Sequence, residues 1–190
     1  MLKCDWCIGD PLYESYHDTE WGVPIYEDQK IFEFLLLEGF QAGLSWITVL
    51  RKREHFRQVF DDFQPEIIAR YTSEKIQELL QDPGIIRNRL KVAAAVKNAQ
   101  AYLDWREKNG ALGTFFWDQV DGQPIQNCFK EMKDVPATTP LAEKISKTLK
   151  KAGFRFVGPT IVYAHMQAMG LVNDHLVDCF RFSEVQALKR

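Results

Sequence analysis

Residues 144–170 read KISKTLKKAGFRFVGPTIVYAHMQAMG. Two segments of helical apolar periodicity flank GFRFVG, and Pro159 stands where the second segment opens, a position at which its missing N–H costs nothing. The pattern predicts two helices joined by a compact hairpin. Backbone N–H groups across Gly153 to Gly158, and at the helix N-terminus that follows, can hold a phosphate without reading sequence, while Lys150 and Lys151 just upstream add positive charge. The same residues also suit a plain helical hairpin with solvated lysines, and glycine spacing alone does not separate the two.

Working outward, apolar residues recur at three and four, and strand-like alternation is scarce. Asp28 opens a helix through Phe32, Leu36 and Glu38 that is expected to stop at Gly39. After the turn QAGLS, Ser45 caps a helix holding Trp46, Leu50 and Phe56. Pro65 to Gln81 reads as one helix, and DPG at 82–84 breaks it before Arg87 to Leu103. Between Gly110 and Thr139 the pattern degrades into turns, punctuated by Gly122, Pro124 and Pro136. Leu141 to Lys151 and Pro159 to Met169 form the hairpin pair, Gly170 is a stop, and a last helix is expected from about Asp174. The expected class is all-α: one domain over residues 1–190, with two helical lobes around a weakly patterned segment near 110–140.

The 190 residues, 46% of them apolar, suffice for a sizeable core and argue against disorder. The longest aliphatic run, Leu35 to Leu37, is too short to span a bilayer, and the N-terminus lacks the charged start and apolar core of a signal peptide, so a cytoplasmic protein is expected. A net charge of −2 provides no global basic field. Contact with nucleic acid therefore needs a local patch, which excludes a coating protein and leaves an enzyme open.

Two further constellations carry chemistry. In GLVNDHLVDCF, residues 170–180, His175 and Cys179 lie four apart, the spacing of one helical face, while Cys4, Cys7 and His17 stand near the other end. Zinc takes four Cys or His ligands in closed structural sites, so the set is sufficient, with the fourth ligand open between Cys7 and His17. The second constellation is Glu38, on a helix apolar nearly all round, with Tyr13, Tyr16, Trp21 and Trp46 close by in sequence. Aromatic faces and one carboxylate make a receptor for a flat cationic ring, although the same aromatics serve equally as core and rim.

The stretches DPLYESYHDTEWGVP, LEGFQAGLSWITVLRKRE, DPGIIRNRLK, GFRFVGPTIVYAHMQA and GLVNDH together resemble the type I family of 3-methyladenine DNA glycosylases, within the helix-hairpin-helix DNA glycosylase superfamily. The resemblance covers nearly the whole chain. It implies a two-lobed helical fold and a structural zinc held by Cys4, His17, His175 and Cys179, with Cys7 as a departure from the pattern and a rival thiol. It also implies a base pocket of Glu38, Tyr13, Tyr16, Trp21 and Trp46, with ionised Glu38 accepting from the base.

The implied reaction is base-excision repair by a monofunctional hydrolase. A base methylated at N3 is flipped out of double-stranded alkylated DNA and its N-glycosidic bond is cut, leaving an abasic site. Gln41 and Leu44 are implied as wedge residues filling the vacated stack. The superfamily places a catalytic aspartate where this chain has Asn173 and Asp174, and Asp174 is read here first as a helix cap. His165 stands where an aromatic residue is expected, with no consequence for the site. A monomer is expected. Two rivals are a non-catalytic reader of damaged DNA and a zinc hydrolase, which would need an open metal position.

Overall fold

The computed structural model describes residues 2–188, and eleven α-helices lie among them. In chain order they are α1 (Pro11–Thr19), α2 (Asp28–Gln41), α3 (Trp46–Leu50), α4 (Arg53–Val59), α5 (Pro65–Ile68), α6 (Ser73–Gln81), α7 (Arg89–Asn109), α8 (Leu112–Asp118), α9 (Pro140–Lys151), α10 (Pro159–Ala168) and α11 (Phe180–Gln186). Two short strands, β1 (Ile125–Gln126) and β2 (Val172–Asn173), pair in parallel, Ile125 opposite Val172 and Gln126 opposite Asn173.

Helix α2 is the axis of the molecule. Every residue from Ile31 to Phe40 is buried, as an all-round apolar helix requires, with α3, α7, α8 and α10 packed around it. Phe40, Phe56, Phe60 and Phe63 continue the core as a chain of rings 4.7 to 5.9 Å apart. Each such side chain, fully buried, contributes roughly 1.5–3 kcal/mol.

Helices α9 and α10 pack together, and their hairpin docks on α2 at Gly39. A Cβ on Gly39 would lie 3.3 Å from the Phe156 Cβ, so glycine there permits the approach. Asn98 on α7 closes the arrangement by donating to the Arg155 carbonyl (3.0 Å) and accepting from the Arg155 N–H (2.7 Å).

Several expected boundaries move, each through a contact from elsewhere in the chain. Gly39 does not stop α2. The helix runs two residues further to a turn held by Lys91, whose Nζ donates to the carbonyls of Phe40 (2.9 Å) and Ala42 (2.6 Å). The helix expected from Ser45 through Phe56 is divided at Arg51 and Lys52. Ten residues along a straight helix put Trp46 and Phe56 about 80° apart around the axis, and the division lets each reach its own neighbours. Pro65 to Gln81 is also two helices, because the Thr72 hydroxyl caps α6 at Lys75 N (3.3 Å).

The weakly patterned segment contains α8. Its start is satisfied by Asp28, whose Oδ1 accepts from Gly113 N across 85 residues, so no local capping signal marks it. The last helix begins at Phe180, not near Asp174, because pairing with β1 holds residues 172–173 extended and Asn173 Oδ1 then takes the His175 N–H (3.3 Å). Asp174 therefore caps no helix, and His175 and Cys179 meet through a turn. His165 is buried against Phe116, its Nε2 2.9 Å from the Ile31 carbonyl, and burial pushes its pKa down to about 4. It is a neutral core residue.

Candidate functional site

A cavity of about 180 Å³ opens beside α2. Tyr13 and Tyr16 reach it from α1, where Asp10 caps the helix by accepting from the N–H groups of Leu12 and Tyr13. Trp21 follows from the turn after α1, Glu38 and Gln41 come from the last turn of α2, and Trp46 opens α3. The five expected base-pocket residues thus share one cavity with Gln41.

Five of its eleven lining residues are aromatic. The Tyr16 and Trp46 rings are 5.6 Å apart and tilted, and Trp6 sits edge-on to Tyr13 (4.7 Å) and Trp21 (5.1 Å). Behind Tyr16, the Arg53 guanidinium lies 5.9 Å from the ring and is neutralised by a two-pronged pair with Glu20 at 2.6 and 2.7 Å.

Two buried polar atoms here have no partner among the described residues: Glu38 Oε2 and Trp46 Nε1. Native structures rarely leave buried polar groups unpaired without a use for them. Burial pushes the Glu38 carboxyl up to about 8, which favours the protonated acid at pH 7. No cation among the described residues faces it, so the ionised Glu38 implied by the resemblance belongs to the state with a cationic base in contact. Burial first, and Glu38 second, also raise the Tyr16 hydroxyl pKa well above its ordinary value.

Against the cavity wall stands a second cluster. Cys4, His17, His175 and Cys179 are buried and offer four ligand atoms within 4.8 Å of one another. Cys179 Sγ is 3.5 Å from His17 Nε2 and 3.7 Å from His175 Nδ1, and Cys4 Sγ is 3.8 Å from His175 Nδ1. The remaining ring nitrogens face acceptors: His17 Nδ1 lies 2.8 Å from Asp18 Oδ1, and His175 Nε2 lies 3.0 Å from the Trp21 carbonyl. With each proton there, the inward nitrogens are free to ligate, the orientation that outer partners impose on histidine ligands. Two thiols and two imidazoles suit zinc. Cys7 is outside the set and donates its S–H to the Cys4 carbonyl (3.1 Å). The Trp21 ring lies 4.6 Å from the His175 ring, so cluster and cavity share a wall.

At the hairpin, Gly153 has φ +97° and Phe156 φ +53°. Gly158 sits at φ −62° as the residue before α10, and a Cβ built there would meet nothing within 4 Å. It needs no positive φ, and the space before α10 is open. Lys150 and Lys151 are exposed. Leu44 is exposed on the turn after α2 and lines no part of the cavity, unlike Gln41.

Sequence reasoning did not reach Trp6, Ala164, Gln167, Met132 and Val135, which also line the cavity. Trp6 had one local signal, its place between Cys4 and Cys7. The α10 pair is separated from Tyr16 by about 150 residues, and only folding brings them together.

Comparison with known proteins accords with this geometry. The family model described as methyladenine glycosylase matches residues 6–182. DNA-3-methyladenine glycosylase 1 of Escherichia coli (strain K12) is 48% identical over 179 residues, covering 94% of this chain and 96% of that protein. A solved structure of a 3-methyladenine DNA glycosylase I is 49% identical, covers 94% of this chain and 98% of its own, and superposes with a TM-score of 0.92. A second, the Staphylococcus aureus 3-methyladenine DNA glycosylase I described for its recognition of 3-methyladenine, is 38% identical, covers 94% and 95%, and gives a TM-score of 0.91. The chain belongs to the methyladenine glycosylase family.

Proposed function

We infer that this chain is a DNA-3-methyladenine glycosylase, a base-excision repair hydrolase that cuts the N-glycosidic bond of 3-methyladenine in alkylated DNA. The observation that carries the reading is the unpartnered Glu38 carboxyl inside an aromatic cavity too small for more than one base. Methylation at N3 leaves the base cationic in DNA, which makes it a good leaving group in need of little acid catalysis. The chain's task is then selection and exposure rather than forceful proton transfer.

The flipped base enters against the Tyr16 and Trp46 rings, whose faces attract its positive charge. With a cation in contact, the Glu38 acid gives its proton to solvent and becomes the carboxylate that accepts from the adenine edge. A neutral base provides no such gain, so the cost of ionising Glu38 in a buried place works against undamaged adenine. Departure of the base carries the glycosidic electron pair into its ring and discharges it, water adds at C1′ and gives up one proton to solvent, and an abasic site remains.

Four protein ligands leave a bound zinc no position for water or substrate, so its contribution is to fasten the first and last segments beside Trp21. Helices α9 and α10 serve as the helix-hairpin-helix element that holds the backbone of double-stranded DNA at Gly153 to Gly158, assisted by Lys150 and Lys151. Gln41 and Leu44 fill the vacated stack, the two lobes flank the cavity, and the chain acts as a monomer. Among the described residues no helix is long and apolar enough to cross a membrane.

The test is release of free base from methylated duplex by purified protein, with chromatographic identification of the product. Release of 3-methyladenine with an abasic site left behind is expected. Binding of methylated duplex without release would replace the enzyme by a reader.

A further inference from the structure

One wall of the cavity holds a polar group that neither base stacking nor Glu38 accounts for. Gln167 on α10 lines the cavity and lies on the partly exposed stripe Ile161, Ala164, Gln167 that leads down from Gly158. Its Nε2 donates to Asp174 Oδ2 (2.8 Å). Asp174 is 1% exposed and also accepts from Tyr163 OH (2.6 Å) and Asn127 Nδ2 (2.7 Å). The buried carboxyl is thus surrounded by donors and is itself closed off from substrate.

The consequence falls on the amide. An Asn or Gln side chain can ordinarily turn by 180° and offer either an oxygen or an NH₂. Gln167 cannot, because turning would set its oxygen against Asp174. Its Oε1 takes part in no hydrogen bond among the described residues and remains the amide's free polar atom. The other amide lining the cavity, Gln41, makes no side-chain hydrogen bond and is free to turn, and the hydroxyls of Tyr13 and Tyr16 rotate. Only Gln167 has its polarity fixed from outside the cavity.

We propose that Gln167 is a specificity residue for the 6-position of the purine, its amide oxygen held as an acceptor by the positioning residue Asp174 so that a 6-amino group is accepted and a 6-oxo group refused. A 6-amino group carries two N–H donors, and burying both requires two acceptors; Glu38 supplies one and Gln167 the second. A 6-oxo purine would set oxygen against oxygen, an arrangement that excludes through repulsion and lost hydration.

The inference rests on the cavity's being the base pocket, and one set of titrations separates the two ideas. Calorimetry is run with free 3-methyladenine and with 3-methylhypoxanthine, which replaces the 6-amino group by oxygen. The parent should bind the amino base and prefer it by about a hundredfold or more. Gln167→Met, which keeps volume and removes the acceptor, should reduce that preference at least tenfold. Asp174→Asn, which lets the amide turn, should reduce it in the same direction while zinc content stays at the parent level. Equal loss of both bases, or an unchanged preference in Gln167→Met, overturns the proposal. Should Asp174→Asn fold poorly or lose zinc beside His175, the half-exposed Gln167 variant decides alone. A parent that binds neither base removes the pocket reading, and this proposal with it.

Discussion

The cavity end and the hairpin end of α10 treat polar groups in opposite ways. Around the cavity, polar atoms are buried and either locked, as at Cys4, His17, His175 and Cys179, or left unpartnered, as at Glu38 and Trp46. At the hairpin, Gly158 faces open space and the lysines face water. A buried unsatisfied group is a large free energy waiting for one particular ligand, whereas a solvated turn gains little from any single contact and accepts many sequences alike. The proposed function accordingly assigns selectivity to the first region and adhesion to the second.

The largest expected break in that contrast comes from the locked cluster. His175→Ala removes one ligand and leaves two thiols and an imidazole buried without their partner. Metal content should fall together with stability, by about 10 °C or more in Tm for a chain of this size. Metal analysis and calorimetry on the same sample test this, with Cys7→Ala as the variant that should keep its metal. A His175→Ala protein with full zinc would show that the metal is held by other ligands.

Next in size is Glu38→Gln. The folded protein without base holds this acid's proton to about pH 8, whereas in the unfolded chain it ionises near 4.5. Its folded pKa is raised, so the unfolded state releases the proton first and stability falls as pH rises from about 4.5 to about 8. Thermal melts across that range should show a smaller fall in Glu38→Gln than in the parent. Excision should behave oppositely. Taking up a cationic base expels the proton, so the parent's single-turnover rate at subsaturating protein should rise with pH toward about 8, while the variant's stays flat. The gap at high pH corresponds to about 1.5–3 kcal/mol, the range for a hydrogen bond to a charged group. A constant ratio between pH 6 and 9 would place the carboxyl away from the charge.

Gly158→Val probes the other region. Because φ there is −62°, valine fits the backbone without strain, and any effect reports crowding of an approaching partner. Cleavage of methylated duplex should drop about tenfold, the order of one lost backbone hydrogen bond to a charged phosphate, with free-base binding intact. The smallest effect is expected for Lys151→Ala. It should weaken all duplexes alike and make log affinity less steep in log salt by about one unit for the lost phosphate contact. A lysine effect confined to methylated duplex would erase the distinction between the regions.

Much of this division was legible in the chain itself. The hairpin could be read because its signals are local: glycines, Pro159 and lysines within a few residues of one another. The aromatic residues and Glu38 were legible as types, and the resemblance grouped them. Helix α8 and the true start of α11 were not legible, because Asp28 and β1 act on them from far away in sequence. His175 and Cys179 were grouped for the wrong geometric reason, since a turn rather than a helical face brings them together. Gln167 looked like any polar residue on a helix.

The amino-acid sequence by itself determined an all-helical chain with α2 buried on every side, a hairpin before Pro159, and enough thiols and imidazoles for one metal. Those outcomes follow from periodicity, proline and glycine geometry, and side-chain chemistry, which act over a few residues. The resemblance had already set Cys7 outside the ligand set; tertiary structure alone decided that Asp174 turns inward to hold Gln167 and that burial raises the Glu38 carboxyl. Each depends on which distant groups arrive as neighbours and on how completely they exclude water, and the free energy of a polar group is set by that company rather than by its place in the chain.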